Sequence, residues 1–194
     1  MTSGPSRKAA ALVAFLGLAA AAARADAGTP FTRLMALLAA RQRGEVTFVA
    51  RTYAAGLTRP LESSGVLRYR APDHLEQRTL KPAPSDLILD GERLTVRRGG
   101  RTRHLDLRSY PDIAVYVDAL RDTLAGRGAA LERRFTVRWR GTLAHWQLTL
   151  VPVNSGASVR RIRLAGEAAD IRTIEILAPH GARTVMRIGP PPGA

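Results

Sequence analysis

From Glu45 onward, polar and apolar residues alternate with a period of two, and proline, glycine and aspartate cut the alternation at short intervals. The densest stretch, residues 63–96, holds four short runs. Residues 65–71 stop at Pro72, residues 74–80 stop at Lys81-Pro82-Ala83-Pro84, residues 86–89 run into Asp90-Gly91, and residues 92–96 end at Arg97-Arg98-Gly99-Gly100. Asp-Gly is a strong hairpin signal because both residues tolerate positive φ. No helix of ordinary length fits between these breakers, so the stretch predicts an antiparallel meander. The same pattern predicts strands over residues 45–53 and 102–107, and again over 135–139, 143–151, 159–164, 171–177 and 184–188.

The spacing turns helical in two places. Phe31, Leu34, Met35, Leu37 and Leu38 follow Thr29-Pro30, which supplies an N-cap and a first-turn proline, and Gly44 is the expected stop. Residues 111–124 repeat the pattern: Pro111 leads, Asp112 sits where a carboxylate suits a helix start, and Ile113, Tyr116, Val117, Leu120 and Leu124 follow at helical spacing. Gly126 and Gly128 end this helix, with a short turn around Leu131. The count is therefore about eleven strands and two helices, a mainly β α+β chain. So long an antiparallel run curls rather than staying flat. Curled and covered by only two helices, it predicts an incomplete barrel with a helical lid and an apolar hollow inside.

The first residues change the picture at one end. Arg7 and Lys8 precede an unbroken apolar run over residues 9–23, and Ala23-Arg24-Ala25 has a small-x-small form. This is the shape of a cleavable secretory signal peptide over residues 1–25. An uncleaved N-terminal anchor is the alternative, although fifteen apolar residues are short for a spanning helix of roughly 20. Cleavage would leave a domain over residues 26–188 with a loose tail, 189–194, in the periplasm. With no cysteine at the cut, the mature chain is not itself a lipoprotein. The segment carries Arg7, Lys8 and Arg24 and no acid, so its loss lowers the net charge from +14 to +11.

That charge first suggests nucleic acid. Against it, the cations are nearly all scattered arginines, Lys8 and Lys81 being the only lysines, and aromatic residues make up just 5%. That is too few for a base-stacking platform, so nucleic acid is not expected as a partner. Anionic membrane surfaces fit the charge better. The absence of cysteine excludes disulfides, thiolate metal sites and cysteine nucleophiles. His74, His104, His145 and His180 stand at no metal-binding spacing, so no metal is expected. Ser63-Ser64-Gly65 lacks a nucleophile-elbow frame, and Asp90 is occupied by its turn while Asp86 and Glu92 alternate outward. Gly99-Gly100, flanked by arginines, offers an anion cradle but reads more simply as a hairpin tip, and Arg160-Arg161-Ile162-Arg163 reads as a solvated strand face rather than a docking patch. No catalytic constellation remains, and neither enzyme activity nor a cofactor is expected.

The order of these features resembles the LolA-like periplasmic lipoprotein carrier superfamily over roughly residues 31–188. The features are an N-terminal amphipathic helix, a strand ending Arg70-Ala71-Pro72, an apolar strand entering Asp90-Gly91, and a proline-led middle helix. Leu148-x-Leu150-x-Pro152 and a closing strand after His180-Gly181 complete the match. Residues 70–80 and 120–126 are more similar to a divergent LolA-related branch, associated with outer-membrane or polyene-lipid export systems. The resemblance implies an eleven-stranded incomplete barrel whose apolar cavity holds acyl chains of a lipoprotein or lipid between membranes. It also implies a monomer that meets an inner-membrane transporter and an outer-membrane acceptor. In the main carriers an arginine directly precedes the strand-ending proline and hydrogen-bonds the lid; here Ala71 holds that place and Arg70 stands one residue earlier. One residue in a strand turns a side chain to the other face, so Arg70 serves a different purpose, or the latch is absent or rebuilt.

Parity along the strands assigns Val46, Phe48, Leu67, Tyr69, Leu87, Leu89, Trp146, Leu148 and Leu150 to the cavity wall, with Leu34, Leu38, Tyr116 and Leu120 from the lid. Arg70 is the latch candidate. A different reading of the same residues is a non-enzymatic docking or assembly module for an inner-membrane export system, held through its arginine-rich face.

Overall fold

The computed structural model describes residues 28–154 and 158–193; the expected signal peptide lies outside the described residues. Eleven strands form one sheet. In chain order they are β1 Arg43–Tyr53, β2 Leu61–Arg70, β3 His74–Lys81, β4 Ser85–Asp90, β5 Arg93–Arg98, β6 Arg101–Asp106, β7 Phe135–Gly141, β8 Trp146–Pro152, β9 Arg161–Glu167, β10 Asp170–Leu177 and β11 Arg183–Ile188. Their order across the sheet is β6-β5-β4-β3-β2-β1-β11-β10-β9-β8-β7, and every pairing is antiparallel. β11 returns from the far end of the chain to pair with β1, joining two meanders. β6 and β7 do not pair, so the barrel stays open.

The sheet bends where the ladder slips. The β2–β3 register shifts between Ser64 and Gly65, and the β9–β10 register shifts between Ile171 and Thr173. Such irregularities increase local twist. At Gly65 the strands approach so closely that any Cβ would run into the Arg78 carbonyl, which explains the glycine.

Three helices cover the concave face, one more than the pattern predicts. α1 Pro30–Ala39 is capped by Thr29, whose side chain accepts from the Thr32 N–H at 3.2 Å. It ends before Gly44, the expected stop, which instead lies within β1 opposite Tyr69. α2 Pro111–Leu124 closes in a Schellman motif, with the Arg127 N–H donating to Asp122 O and the Gly126 N–H to Thr123 O. The chain leaves through Gly126 at φ +65°, packed against the Met35 carbonyl of α1. The expected turn around Leu131 is a full helix, α3 Gly128–Arg134. Its seven residues carry too little periodicity to stand out in sequence, and it forms because Leu131 is fully buried in the core. Among the described residues no helix is long and apolar enough to cross a membrane.

The packing is lopsided. α1 and α3 press Leu34, Met35, Leu38 and Leu131 onto Phe135, Trp146, Leu148, Leu150, Ile162 and Leu164 of β7–β9, and these side chains are essentially inaccessible. At about 1.5–3 kcal/mol for each fully buried aliphatic or aromatic side chain, this is the main hydrophobic core. A second, smaller cluster joins Leu89 and Leu94 of the β4–β5 hairpin to Leu107 and to Val117 of α2.

Candidate functional site

Between the two clusters the concave face is not filled. A hollow of about 560 Å³ runs under α2, open to solvent along part of its length. That volume lies in the roughly 300–1,000 Å³ range of ligand pockets.

Its floor is built from facing pairs on five strands. One row across the sheet reads Gly44, Tyr69, Leu75, Leu89, Leu94, and the next reads Val46, Leu67, Gln77, Leu87, Val96. Strand parity puts both rows on the helix-covered face. α2 forms the roof with Tyr116, Val117, Leu120 and Leu124, while Ile171, Ile174 and Ile188 close the side towards β10 and β11. Gly44 matters here because a side chain opposite Tyr69 would occupy the floor.

Two polar atoms stand out in this apolar surround. Among the described residues the Tyr69 hydroxyl is buried without a hydrogen-bond partner, and burial raises its pKa above the ordinary tyrosine value. Burial also raises the pKa of the Tyr116 hydroxyl on the roof. At the mouth Arg41 holds Asp170, and Arg172 holds Asp170 and Glu167. On the convex face Arg68 bridges Glu45 and Glu76, which lie directly opposite it on the neighbouring strands.

Of the cavity and lid residues expected from sequence, Val46, Leu67, Tyr69, Leu87, Leu89, Tyr116 and Leu120 line the hollow. The other six lie elsewhere. Trp146, Leu148, Leu150, Leu34 and Leu38 are on the expected face but fill the packed core with one another. Phe48 is also buried and does not reach the hollow, although it continues the Val46 side of β1. Correct facing was therefore not enough, because α1 and α3 had already taken that half of the bowl. Leu75, Leu94, Val117, Leu124, Ile171, Ile174 and Ile188 were missed, although strand parity or helical spacing could have nominated several of them.

Arg70 does not reach the helices. It ends β2 on the convex face, with Arg43 and His74 as its cross-strand neighbours. The grip on α2 comes instead from the helix itself. Arg121 donates to the Gly91 carbonyl at 3.0 Å, to Glu92 at 3.3 Å and to Asp118 at 2.7 Å, so it ties the roof to the β4–β5 turn. Arg134 of α3 reaches Asp118 at 2.9 Å and Asp122 at 3.2 Å. Burial raises the Asp118 pKa above the ordinary carboxylate range, against the opposing pull of Arg134 and Arg121. An arginine within an amphipathic helix carries no sequence signal for this role, since an exposed helix face would look the same.

Among the described residues no group of three or more histidine, cysteine, aspartate or glutamate side chains is placed to hold a metal ion. The arrangement offers an apolar enclosure roofed by a helix that is tied to the sheet.

Residues 19–187 match the family model described as outer membrane lipoprotein carrier protein LolA-like. No curated protein matches the chain. Among solved structures, a LolA superfamily protein from Nitrosomonas europaea is similar over 84% of this chain and 92% of its own, with 10% identity and a TM-score of 0.44. The MucA/MucB complex of Pseudomonas aeruginosa matches 85% of this chain at 13% identity and a TM-score of 0.41, and only 59% of the matched chain is spanned. LprF from Mycobacterium bovis gives 10% identity, 82% and 91% coverage and a TM-score of 0.34. Likenesses this loose say nothing of what the present chain binds.

Proposed function

Because the chain belongs to the LolA-like outer membrane lipoprotein carrier family, we propose that it is a periplasmic carrier which shelters acyl chains of a lipid or lipoprotein in the hollow under α2. The single observation that supports this is an apolar hollow of about 560 Å³, roofed by a separately tethered helix and floored by Val46, Leu67, Leu87 and Leu89. Each methylene moved from water into such a space contributes about 0.8 kcal/mol. Ten of them therefore supply roughly 8 kcal/mol, from which the costs of association and ordering are subtracted. No catalytic step is proposed. The mature chain starts near Asp26 after removal of residues 1–25, acts as a monomer, and receives its cargo from an inner-membrane transporter for an outer-membrane acceptor.

The test is native mass spectrometry of protein purified gently from the periplasm, where a lipid-sized adduct is expected and the N-terminal sequence reads the cleavage. Leu67→Trp, which fills the floor without adding charge, should remove the adduct while leaving the thermal midpoint nearly unchanged. Bare wild-type protein under the same conditions overturns the carrier reading.

A further inference from the structure

The floor of the hollow changes character at its β6 end. The Val46–Leu67–Gln77–Leu87–Val96 row continues directly to Arg103, which faces Val96 across the β5–β6 ladder. The third row on the same face reads Phe48, Gly65, Thr79, Ser85, Arg98, Arg101. Val96 and Leu105 pack into the apolar cluster under α2, so parity puts Arg98, Arg101 and Arg103 on the helix-covered side rather than the convex one. Arg103 lies two strand spacings from Leu87 of the hollow, roughly 10 Å.

The three arginines are exposed and have no carboxylate partner among the described side chains. Arg98 and Arg101 stand directly opposite each other, an arrangement that costs stability when nothing neutralises it. The turn joining them, Gly99-Gly100 at φ +56° and +72°, is a tight hairpin that holds the two side chains together. The neighbouring carboxylate, Asp86, belongs to the opposite face and is taken by Arg78 at 3.7 Å. The result is an apolar trough that ends in an uncompensated cationic corner with the Ser85 hydroxyl beside it.

Building on the carrier reading, we propose that the cargo is an amphiphile with an anionic, phosphate-type headgroup. Its acyl chain lies along the hollow, and its headgroup is held by Arg98, Arg101 and Arg103. Arginine suits this role because its planar fork pairs two oxygens at once. The corner then selects among lipids that the apolar trough alone would accept equally.

The experiment uses the full mature chain and displacement of the neutral fluorophore N-phenyl-1-naphthylamine. The competitors are dodecyl phosphate, dodecylphosphocholine and dodecyl maltoside below their micelle concentrations, together with inorganic phosphate alone. Wild type is expected to prefer dodecyl phosphate by about tenfold or more over the other two amphiphiles. The triple variant Arg98→Gln, Arg101→Gln, Arg103→Gln is expected to lose that preference yet bind the fluorophore and dodecyl maltoside as wild type does. All three positions are exposed, so the fold is not at stake, and Arg70→Gln plus Arg93→Gln plus Arg97→Gln, three exposed positions on the convex face, serves as the charge-matched control. Equal affinities in wild type, or a preference that survives the triple substitution, overturn the headgroup site and leave the carrier standing. Displacement by inorganic phosphate to the same degree overturns the amphiphile, as does binding of anionic vesicles by the corner in Leu67→Trp protein to the same degree as in wild type. Failure of wild type to take up the fluorophore overturns the carrier reading and this proposal with it.

Discussion

Arg121→Ala tests the claim that the roof of the hollow is held by its own arginine. The side chain is 9% exposed and makes three contacts with oxygen-bearing groups, two of them on the β4–β5 turn. Removing one partner of a buried ion pair generally costs about 3–5 kcal/mol, because the other charge is left uncompensated. Two features of this site reduce that figure. Arg134 stays 2.9 Å from Asp118, and Glu92 is half exposed and can turn to water. The expected loss is therefore about 2–3 kcal/mol. Urea unfolding followed by the fluorescence of Trp139 and Trp146 reads it as a lower midpoint at unchanged slope. The loss should also depend on pH. A carboxyl whose folded-state pKa is raised contributes stability below the ordinary value, about pH 4, and loses it as pH rises through the raised one. Taking Arg121 away raises the Asp118 pKa further, so the deficit of the variant should shrink as pH falls from neutral towards the carboxylate range. A loss under about 0.5 kcal/mol, the scale of an ordinary surface substitution, refutes the tether. So does a deficit that does not change with pH.

Other substitutions separate the filled half of the bowl from the empty half. Leu148→Ala opens a cavity in the packed core and should cost about 2–5 kcal/mol, whereas Leu87→Ala borders existing space and should cost less than half as much in the same urea assay. Gly65→Ala drives a methyl group into the Arg78 carbonyl, so a loss of at least about 2 kcal/mol is expected, with exchange protection lost first across the β2–β3 ladder by hydrogen-exchange mass spectrometry. Tyr69→Phe removes a buried hydroxyl that has no partner, and the unliganded protein should be unchanged or more stable by up to about 1 kcal/mol. A clear loss of stability would mean that the hydroxyl has a partner in solution.

Much of this architecture was legible locally. Turn residues such as Asp90-Gly91 and Gly99-Gly100 act within a few positions, so strand number and the antiparallel order of the first six strands follow from them. The period of two sets which side chains share a face, and it set Val46, Leu67, Leu87 and Leu89 on the same side as Leu148 and Leu150. The length of β2 was less legible: it begins at Leu61, because the slip at Gly65 lets the strand continue past the glycine that seemed to open it.

What the order of residues determined by itself was the alternation and the breaks, hence a long curled sheet with one apolar face and amphipathic helices to cover it. Which part of that face is covered was decided only in three dimensions. Leu148 and Leu87 carry the same local signal, yet one is sealed beneath α1 and α3 and the other borders open space. The difference lies in where Leu34, Leu38 and Leu131 come to rest against strands more than a hundred or only a few residues away. A cavity is the volume left over when such distant side chains have packed, and no short-range rule encodes a remainder.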